Sequence, residues 1–184
     1  MMTSRDLAPG APGNRTERGG DGPTGDGARE SVVARDDHGC FGCGALNPHG
    51  LHLRFRITPE GIEAPFTPLV THEGYTGMVH GGIVSTLLDE VMAWSLYRLD
   101  IWAVTAKMAV SFRRPVRVGE PCLAEGWLAR DRGRLIETAA RLVRVEDGTV
   151  LATATGTFAR VPAARAQAWR EQYVAPGRPI PETS

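Results

Sequence analysis

The stretch Val79–Leu99, VHGGIVSTLLDEVMAWSLYRL, organises the rest of the chain around it. Its apolar residues recur at spacings of three and four and form one broad stripe, which predicts a long helix buried on most sides. Such a helix is an unusual place for two features: the glycine pair Gly81-Gly82 at its start and the acidic pair Asp89-Glu90 in its middle. Unpaired N–H groups at a glycine helix start suit an anion or a polarised carbonyl, and a carboxylate is costly to bury. Both features therefore predict function.

Alternating apolar and polar residues on either side of this helix predict a mostly antiparallel sheet. Before the helix, Leu51–Ile57 alternates and is expected to pair with Gly61–Phe66, and a loop over 67–78 follows. After the helix comes the clearest strand, Val104–Phe112, which Pro115 ends. Three further strands, joined as consecutive hairpins, are expected at Pro121–Arg130, Arg134–Val145 and Val150–Arg160. One long apolar helix packed on an antiparallel sheet gives an α+β fold.

Composition divides the 184 residues into one domain and two tails. Residues 1–37 are rich in Gly, Pro, Arg and Asp and contain no aromatic residue, which predicts a disordered N-terminal leader. The folded domain is expected over 38–161. Residues 162–184 are expected to form a C-terminal tail with a short helix near Ala164–Tyr173, ahead of its proline-rich end.

Charge and cysteine content limit the classes of function. The formal net charge is zero, so nothing global favours nucleic acid or a membrane surface as a partner, and a small molecule is expected. An apolar run of about 20 residues, long enough to cross a bilayer, is absent from the sequence. Three cysteines do not make a disulfide framework, which points to a reducing, cytoplasmic location.

Three blocks of sequence carry a resemblance to a known family. The first block is CFGCG at Cys40–Gly44 with NPHGL at Asn47–Leu51. The second runs from Gly74 to Glu90 and contains the His-Gly-Gly of the helix start; the third is TAKMAVSFRRP at Thr105–Pro115. Over about Cys40 to Arg160 the chain resembles the hotdog-fold acyl-CoA thioesterases of the PaaI-like branch. The resemblance implies an antiparallel sheet wrapped around one long central helix.

The resemblance also implies a reaction and a set of catalytic residues. In that family a backbone N–H at the helix start polarises the thioester carbonyl, and a carboxylate acts as nucleophile or as general base for water. Gly81, with His80 and Gly82 beside it, matches the first role, and Asp89 matches the second. Thr105 matches a hydroxyl that orients the acid or its water. No cofactor is implied.

The spacing of these residues implies an oligomer. Gly81 and Asp89 are eight residues apart, about 12 Å at helical rise, so one helix cannot easily place both on one carbonyl. The resemblance gives the same answer, because hotdog dimers build each site from the glycine end of one protomer and the acid of the other. A homodimer or homotetramer acting on an acyl-CoA is therefore expected.

Other residues have more than one interpretation. Glu90 lies about 100° around the helix from Asp89 and is the competing carboxylate, otherwise a substrate-binding residue. Arg113 and Arg114 either bind CoA phosphates at the mouth of the site or are solvated surface residues. Some family members have Asn or a similar polar residue where this chain has Gly74; backbone groups or His80 are expected to replace it.

The cysteine-rich first block allows a zinc or redox interpretation. Cys40, Cys43, His49 and His52 have a spacing compatible with zinc, and Cys-x-x-Cys is also a redox pattern. The family block explains this stretch without either, His52 falls within an expected strand, and a second cysteine pair is lacking. The expectation from sequence is no metal.

Two functions of different class remain open. The leading hypothesis is hydrolysis of an acyl-CoA, with an acyl carrier-protein thioester as the less favoured substrate. The alternative is a non-catalytic acyl-thioester binding module on the same fold. A dehydratase or hydratase of this fold is disfavoured, because the chain lacks the acid-to-histidine pattern of those enzymes.

Overall fold

The computed structural model describes residues 35–174, which form eight strands and two α-helices. In chain order these are β1 (Arg56–Ile57), β2 (Ile62–Phe66), β3 (Glu73–Tyr75), β4 (Met78–Val79), α1 (Gly81–Tyr97), β5 (Ala103–Phe112), β6 (Cys122–Arg132), β7 (Leu135–Arg144), β8 (Val150–Arg160) and α2 (Ala163–Tyr173). A single 3₁₀ turn over Val70–His72 precedes β3. Residues 1–34 of the expected leader and 175–184 of the expected tail lie outside the described residues.

Six of the strands form one antiparallel sheet in the order β1-β2-β6-β7-β8-β5. The hairpins β6–β7 and β7–β8 confirm the expected run of consecutive hairpins, with Gly133 and Gly148 at positive φ in the turns, a conformation that suits glycine. β5 crosses over to pair with β8 and becomes the edge of the sheet. The expected α+β architecture is confirmed.

Helix α1 packs across one face of this sheet, where small residues let the two layers approach closely. A Cβ on Gly126 of β6 would lie 2.3 Å from the carbonyl oxygen of Val91 in α1, so only glycine fits there. The apolar stripe of α1 is almost completely buried, as the 3–4 spacing predicted: Leu87, Leu88, Val91, Met92 and Leu96. Burial of each such side chain contributes roughly 1.5–3 kcal/mol.

The expected strand Leu51–Ile57 is wrong over most of its length, since only Arg56–Ile57 is a strand. Leu51, Leu53 and Phe55 are buried, as alternation requires. Their backbone does not join the sheet, because the Leu51 and Leu53 N–H groups donate to the carbonyls of Phe41 and Gly42. The alternating segment thus lies against the cysteine loop of the first block rather than along β2.

The segment expected as a loop over 67–78 contains the 3₁₀ turn and most of the small hairpin β3–β4. This hairpin leads directly into α1, with His80 N–H donating to the carbonyl of His72 at 2.8 Å. Among residues 35–174, no helix is long and apolar enough to cross a membrane.

Candidate active site

The start of α1 leaves one backbone donor free. The Gly82 N–H donates to Nδ1 of His80 at 2.9 Å, so the His80 side chain caps the helix. The N–H groups of Ile83 and Val84 donate to the His80 carbonyl. Within the described part of the chain, the Gly81 N–H has no acceptor. This exposed N–H lies at the positive end of the helix dipole and is able to bind a carbonyl oxygen or an oxyanion.

His80 therefore supports the site as a cap. Because Nδ1 accepts a hydrogen bond, the neutral ring carries its proton on Nε2. Gly74 lies directly beneath this ring: a Cβ there would be 3.1–3.3 Å from His80 atoms. A larger residue at Gly74 would press on the cap, which gives a steric reason for the glycine at this position.

Asp89 lies two turns further along α1, and its side chain is held by a hydrogen bond from the edge strand β5. Thr105 Oγ1 donates to Asp89 Oδ1 at 2.8 Å. The register of β5 against β8 shifts between Thr105 and Lys107, and a bulge of this kind redirects side chains locally. Burial raises the pKa of Asp89, and the bond from Thr105 partly opposes this. The carboxylate is thus positioned and made a better proton acceptor than a solvated aspartate.

Glu90, one residue later, has a different environment. Its Oε1 accepts from the Cys40 thiol at 3.6 Å, and its Oε2 accepts from Trp94 Nε1 at 3.2 Å. Burial and then the negative charge of Cys40 raise the pKa of Glu90 to about 8. A hydrogen bond from Cys43 lowers the pKa of Cys40 to about 5, and the same bond together with burial raises the pKa of Cys43. Glu90 contacts the cysteine loop, whereas Asp89 contacts β5.

Arg113 and Arg114 lie beside the helix start. Both line a surface hollow of about 290 Å³ with Gly81, Phe112 and four other residues. Their N–H groups both donate to the carbonyl of Leu151, which fixes the backbone while the side chains remain exposed. The structure therefore brings both arginines next to the free Gly81 N–H.

The seven residues predicted for catalysis and phosphate binding fall into two groups. Gly81, His80, Gly82, Arg113 and Arg114 lie together at the start of α1. Asp89 and Thr105 form the second group, about 12 Å along the helix axis from Gly81. One chain therefore holds both halves of the expected site without bringing them together.

The four zinc candidates identified from sequence, Cys40, Cys43, His49 and His52, do not all lie together in the structure. Among the described residues, Cys40 and Cys43 instead come together with Glu90, and the three ligand atoms lie within 4.8 Å of one another. Glu90 follows Cys40 by fifty residues. No local spacing rule could have found this contact.

Comparison with known proteins identifies the fold. A family model described as "Thioesterase superfamily" matches residues 76–151, which include all of α1, β5, β6 and β7. A "thioesterase superfamily protein" of known crystal structure superposes with a TM-score of 0.61 at 26% identity, covering 64% of this chain and 58% of that one. The chain has the hotdog fold of thioesterases. Its expected resemblance to this family is confirmed.

Other hotdog structures share the fold at lower identity. The PaaI protein of E. coli, from the phenylacetic acid degradation operon, has a TM-score of 0.56 at 19% identity, covering 60% of this chain and 84% of PaaI. The smu.793 protein of Streptococcus mutans, solved with acetyl CoA bound, has a TM-score of 0.56 at 18% identity, covering 59% of this chain and 88% of that one.

Two curated relatives match part of this hotdog chain in sequence. A Deinococcus radiodurans protein named "Putative esterase" is 37% identical over 84 residues, covering 46% of this chain and 57% of that protein. Acyl-coenzyme A thioesterase THEM4 of Xenopus laevis is 24% identical over 96 residues, covering 52% of this chain and 43% of that protein. The chain thus spans about half the length of these relatives.

Proposed function

We propose that this protein is a thioester hydrolase that converts an acyl-CoA into a free acid and CoA. The observation that carries the proposal is the hydrogen bond of 2.8 Å from Thr105 to a partly buried Asp89. A buried acid in the middle of an apolar helix costs folding free energy, and this one is oriented by a hydroxyl as a general base or nucleophile requires. The acyl-CoA thioesterase among the curated relatives and the acetyl CoA bound to the Streptococcus mutans protein support this substrate class.

In this proposal the Gly81 N–H hydrogen-bonds to the thioester oxygen and stabilises the oxyanion that forms during attack. Acting as general base, Asp89 takes a proton from water as the water oxygen bonds to the carbonyl carbon. The carbon–sulfur bond then breaks, and the proton passes to the CoA sulfur. Acting as nucleophile, Asp89 forms a mixed anhydride with release of CoA, and water then hydrolyses the anhydride. A single turnover in H2(18)O separates the two routes: water that attacks the aspartyl carbonyl of the anhydride leaves 18O in the Asp89 carboxylate, whereas the general-base route places 18O only in the product acid.

We propose further that each site is shared between two copies of the chain in a homodimer or homotetramer. The ten-residue edge strand β5 supports this arrangement, since its outer backbone groups are available for pairing. Val104 and Phe112 on this strand are 46% and 57% exposed, and a second copy would cover them. Pairing along β5 would also bring a partner helix close to Thr105 and Asp89, which supports a Gly81 donor from that partner.

Arg113 and Arg114 beside Gly81 are proposed to bind the phosphates of CoA, because guanidinium groups match phosphate geometry. The hotdog domain is proposed to span 38–161 and to act in the cytoplasm, where acyl-CoA is available and free thiols persist.

The test is a screen of the purified protein against acyl-CoAs of varied length and aromaticity, with release of free thiol as the readout. For an accepted substrate, Asp89→Asn should lower kcat by about two orders of magnitude or more. Asp147→Asn is a matched control, because Asp147 is exposed in the β7–β8 turn and Asn suits such turns equally well.

Two outcomes would redirect the proposal. If Glu90→Gln abolished hydrolysis while Asp89→Asn stayed within a few-fold of wild type, the essential acid would be Glu90 and the assignment to Asp89 would be wrong. Binding of acyl-CoA without hydrolysis by the wild type would favour the non-catalytic binding module.

A further inference from the structure

The cysteine loop Cys40–Gly44 is a tight turn that directs two sulfur atoms to one side. The Gly44 N–H donates to the Cys40 carbonyl at 3.0 Å, closing the turn. The backbone of Gly42 and Cys43 lowers the pKa of the Cys40 thiol. A Cβ on Gly44 would lie 2.2 Å from the carbonyl oxygen of His38, so the turn requires glycine there. A Cys-x-x-Cys pair in such a turn is one half of many tetrahedral zinc sites.

Glu90 of α1 completes a set of three ligand atoms with these sulfurs. Gly42 makes this possible, because a Cβ there would lie 2.2–2.5 Å from atoms of the Glu90 side chain. With Zn–S near 2.3 Å and Zn–O near 2.0 Å, a tetrahedral ion separates a sulfur from an oxygen ligand by about 3.5 Å. The distance between Cys40 Sγ and Glu90 Oε1 is 3.6 Å. This sulfur–oxygen distance matches that of a zinc site, and all three ligand atoms lie within 4.8 Å of one another.

The charge of this cluster also favours a cation. Two thiols and a carboxylic acid lie within 4.8 Å of one another, and Cys43 is buried. Over residues 35–174, no arginine or lysine forms an ion pair with Glu90; its carboxyl group accepts hydrogen bonds from the Cys40 thiol and from Trp94 Nε1. A divalent ion would neutralise most of the negative charge that these three groups carry when ionised.

We propose that Cys40, Cys43 and Glu90 bind one thiolate-preferring divalent cation, with Zn²⁺ as the natural occupant. Both cysteines open onto a cavity of about 190 Å³ lined by His38 and by aromatic side chains that include Trp94 and Tyr97. This cavity has room for a water molecule that would serve as the fourth ligand of the ion. The ion fastens the segment before β1 to α1 at the residue next to Asp89, and so stabilises the part of the helix that carries the acid.

Glu90 also distinguishes this proposal from a redox pair. A Cys40–Cys43 disulfide would form without any need for a carboxylate, and would leave Glu90 as a buried acid with Trp94 as its donor. A metal site uses all three groups. Glu90 replaces the histidines His49 and His52 that the sequence offered as further ligands.

The first measurement is the metal content of the full chain purified with reductant and dialysed against metal-free buffer. About one Zn²⁺ per chain is expected from a site of this donor set. The Cys40→Ser and Cys43→Ser variants should each bind Zn²⁺ weaker by about tenfold or more, and Glu90→Gln should also weaken binding. Cys122→Ser is the matched control, because Cys122 is a buried thiol in β6 outside the cluster, and it should retain the metal.

The second measurement avoids variants and therefore any failure to fold. Co²⁺ added to the metal-free wild-type chain should produce a thiolate-to-cobalt charge-transfer band in the near ultraviolet, together with visible bands typical of tetrahedral cobalt. Zn²⁺ should abolish these bands in equimolar amount. A chain with three free thiols that binds neither ion would overturn the proposal. The proposal would also be overturned if metal-free protein contained a Cys40–Cys43 disulfide and still failed to bind Co²⁺ after reduction. Metal binding that survives in the Cys40→Ser/Cys43→Ser double variant would overturn it as well.

Discussion

Replacing Gly81 with proline would remove the proposed oxyanion donor while leaving the fold intact. Proline lacks the backbone N–H but suits the first position of a helix, where its fixed φ is already helical. Gly81 is that first position in α1, and His80 before it has φ −62° and ψ 135°, the extended conformation that a residue before proline adopts. The Gly81 N–H has no acceptor in residues 35–174, so no hydrogen bond of the described structure is lost.

The magnitudes of the two effects differ enough to separate function from stability. Loss of one oxyanion donor costs a factor of about 100 to 1,000 in kcat, or about 2.7–4 kcal/mol. The free energy of unfolding should change by less than about 1 kcal/mol, a shift of a few degrees in Tm. Gly81→Ala is the matched control, since it retains the N–H and its Cβ would lie 3.4 Å from Phe112, an ordinary contact. We expect Gly81→Ala to stay within a few-fold of wild type.

The assay compares kcat of both variants on the best acyl-CoA and their Tm by circular dichroism. A folded Gly81→Pro variant that hydrolyses the substrate as fast as Gly81→Ala would refute the assignment of the donor. The same variant also tests the shared site. When it is co-expressed with Asp89→Asn and mixed dimers are isolated with two tags, each mixed dimer has one intact site and should recover about half of wild-type activity. Inactive mixed dimers would show that Gly81 and Asp89 act within one chain.

Three further expectations concern other parts of the molecule. Thr105→Val removes the hydrogen bond that lowers the pKa of Asp89, so this pKa should rise further and less of the acid is ionised at a given pH. The acid limb of the plot of kcat/KM against pH should therefore move to higher pH. An acid limb that does not move would contradict the role of Asp89 as base. Replacing both Arg113 and Arg114 with alanine should raise KM for an acyl-CoA by about tenfold but leave KM for the same acyl group on a truncated pantetheine thioester unchanged; an equal effect on both would rule out phosphate contacts. Deleting Met1–Ser31 should leave Tm and turnover nearly unchanged, and a large fall in Tm would show that the expected leader is part of the fold.

The sequence predicted the elements whose signal is local. The helix follows from apolar spacing over Val79–Leu99, and β5 to β8 follow from alternation bounded by turn residues, each within three residues of the observed ends. Leu51–Phe55 shows the limit of this reasoning. Its alternation correctly predicted the burial of Leu51, Leu53 and Phe55. Its backbone hydrogen bonds go to Phe41 and Gly42 of the cysteine loop. An alternating pattern predicts which side chains are buried but not which backbone segment pairs with them.

The candidate site was predictable to a different extent for each contact. Gly81, Asp89 and Thr105 were singled out by family resemblance, and the 2.8 Å bond between Asp89 and Thr105 connects two elements adjacent in the chain. The contact of Glu90 with Cys40 joins segments fifty residues apart and depends on the missing side chain of Gly42. From the sequence, Glu90 was therefore predicted to bind substrate or to compete with Asp89 as the acid, and no contact between Glu90 and the cysteines was predicted.

The cost of Asp89 to the fold is itself a test of its function. Burial raises the pKa of Asp89 in the folded protein above its value in the unfolded chain, so protonation of Asp89 favours the folded state. The free energy of unfolding therefore falls as the pH rises from the unfolded-state pKa, and it reaches its lower level above the folded-state pKa. Asn at this position carries no charge, and its side-chain oxygen still accepts from Thr105. Asp89→Asn should therefore have a Tm at neutral pH equal to or above that of the wild type while its turnover collapses, as expected where activity requires a destabilising group. The difference in Tm should vanish in acid, where both side chains are neutral. A variant less stable than wild type at neutral pH would mean that the carboxylate is held by a favourable charge interaction, and Asp89 would then be a structural acid rather than the group that attacks or deprotonates water.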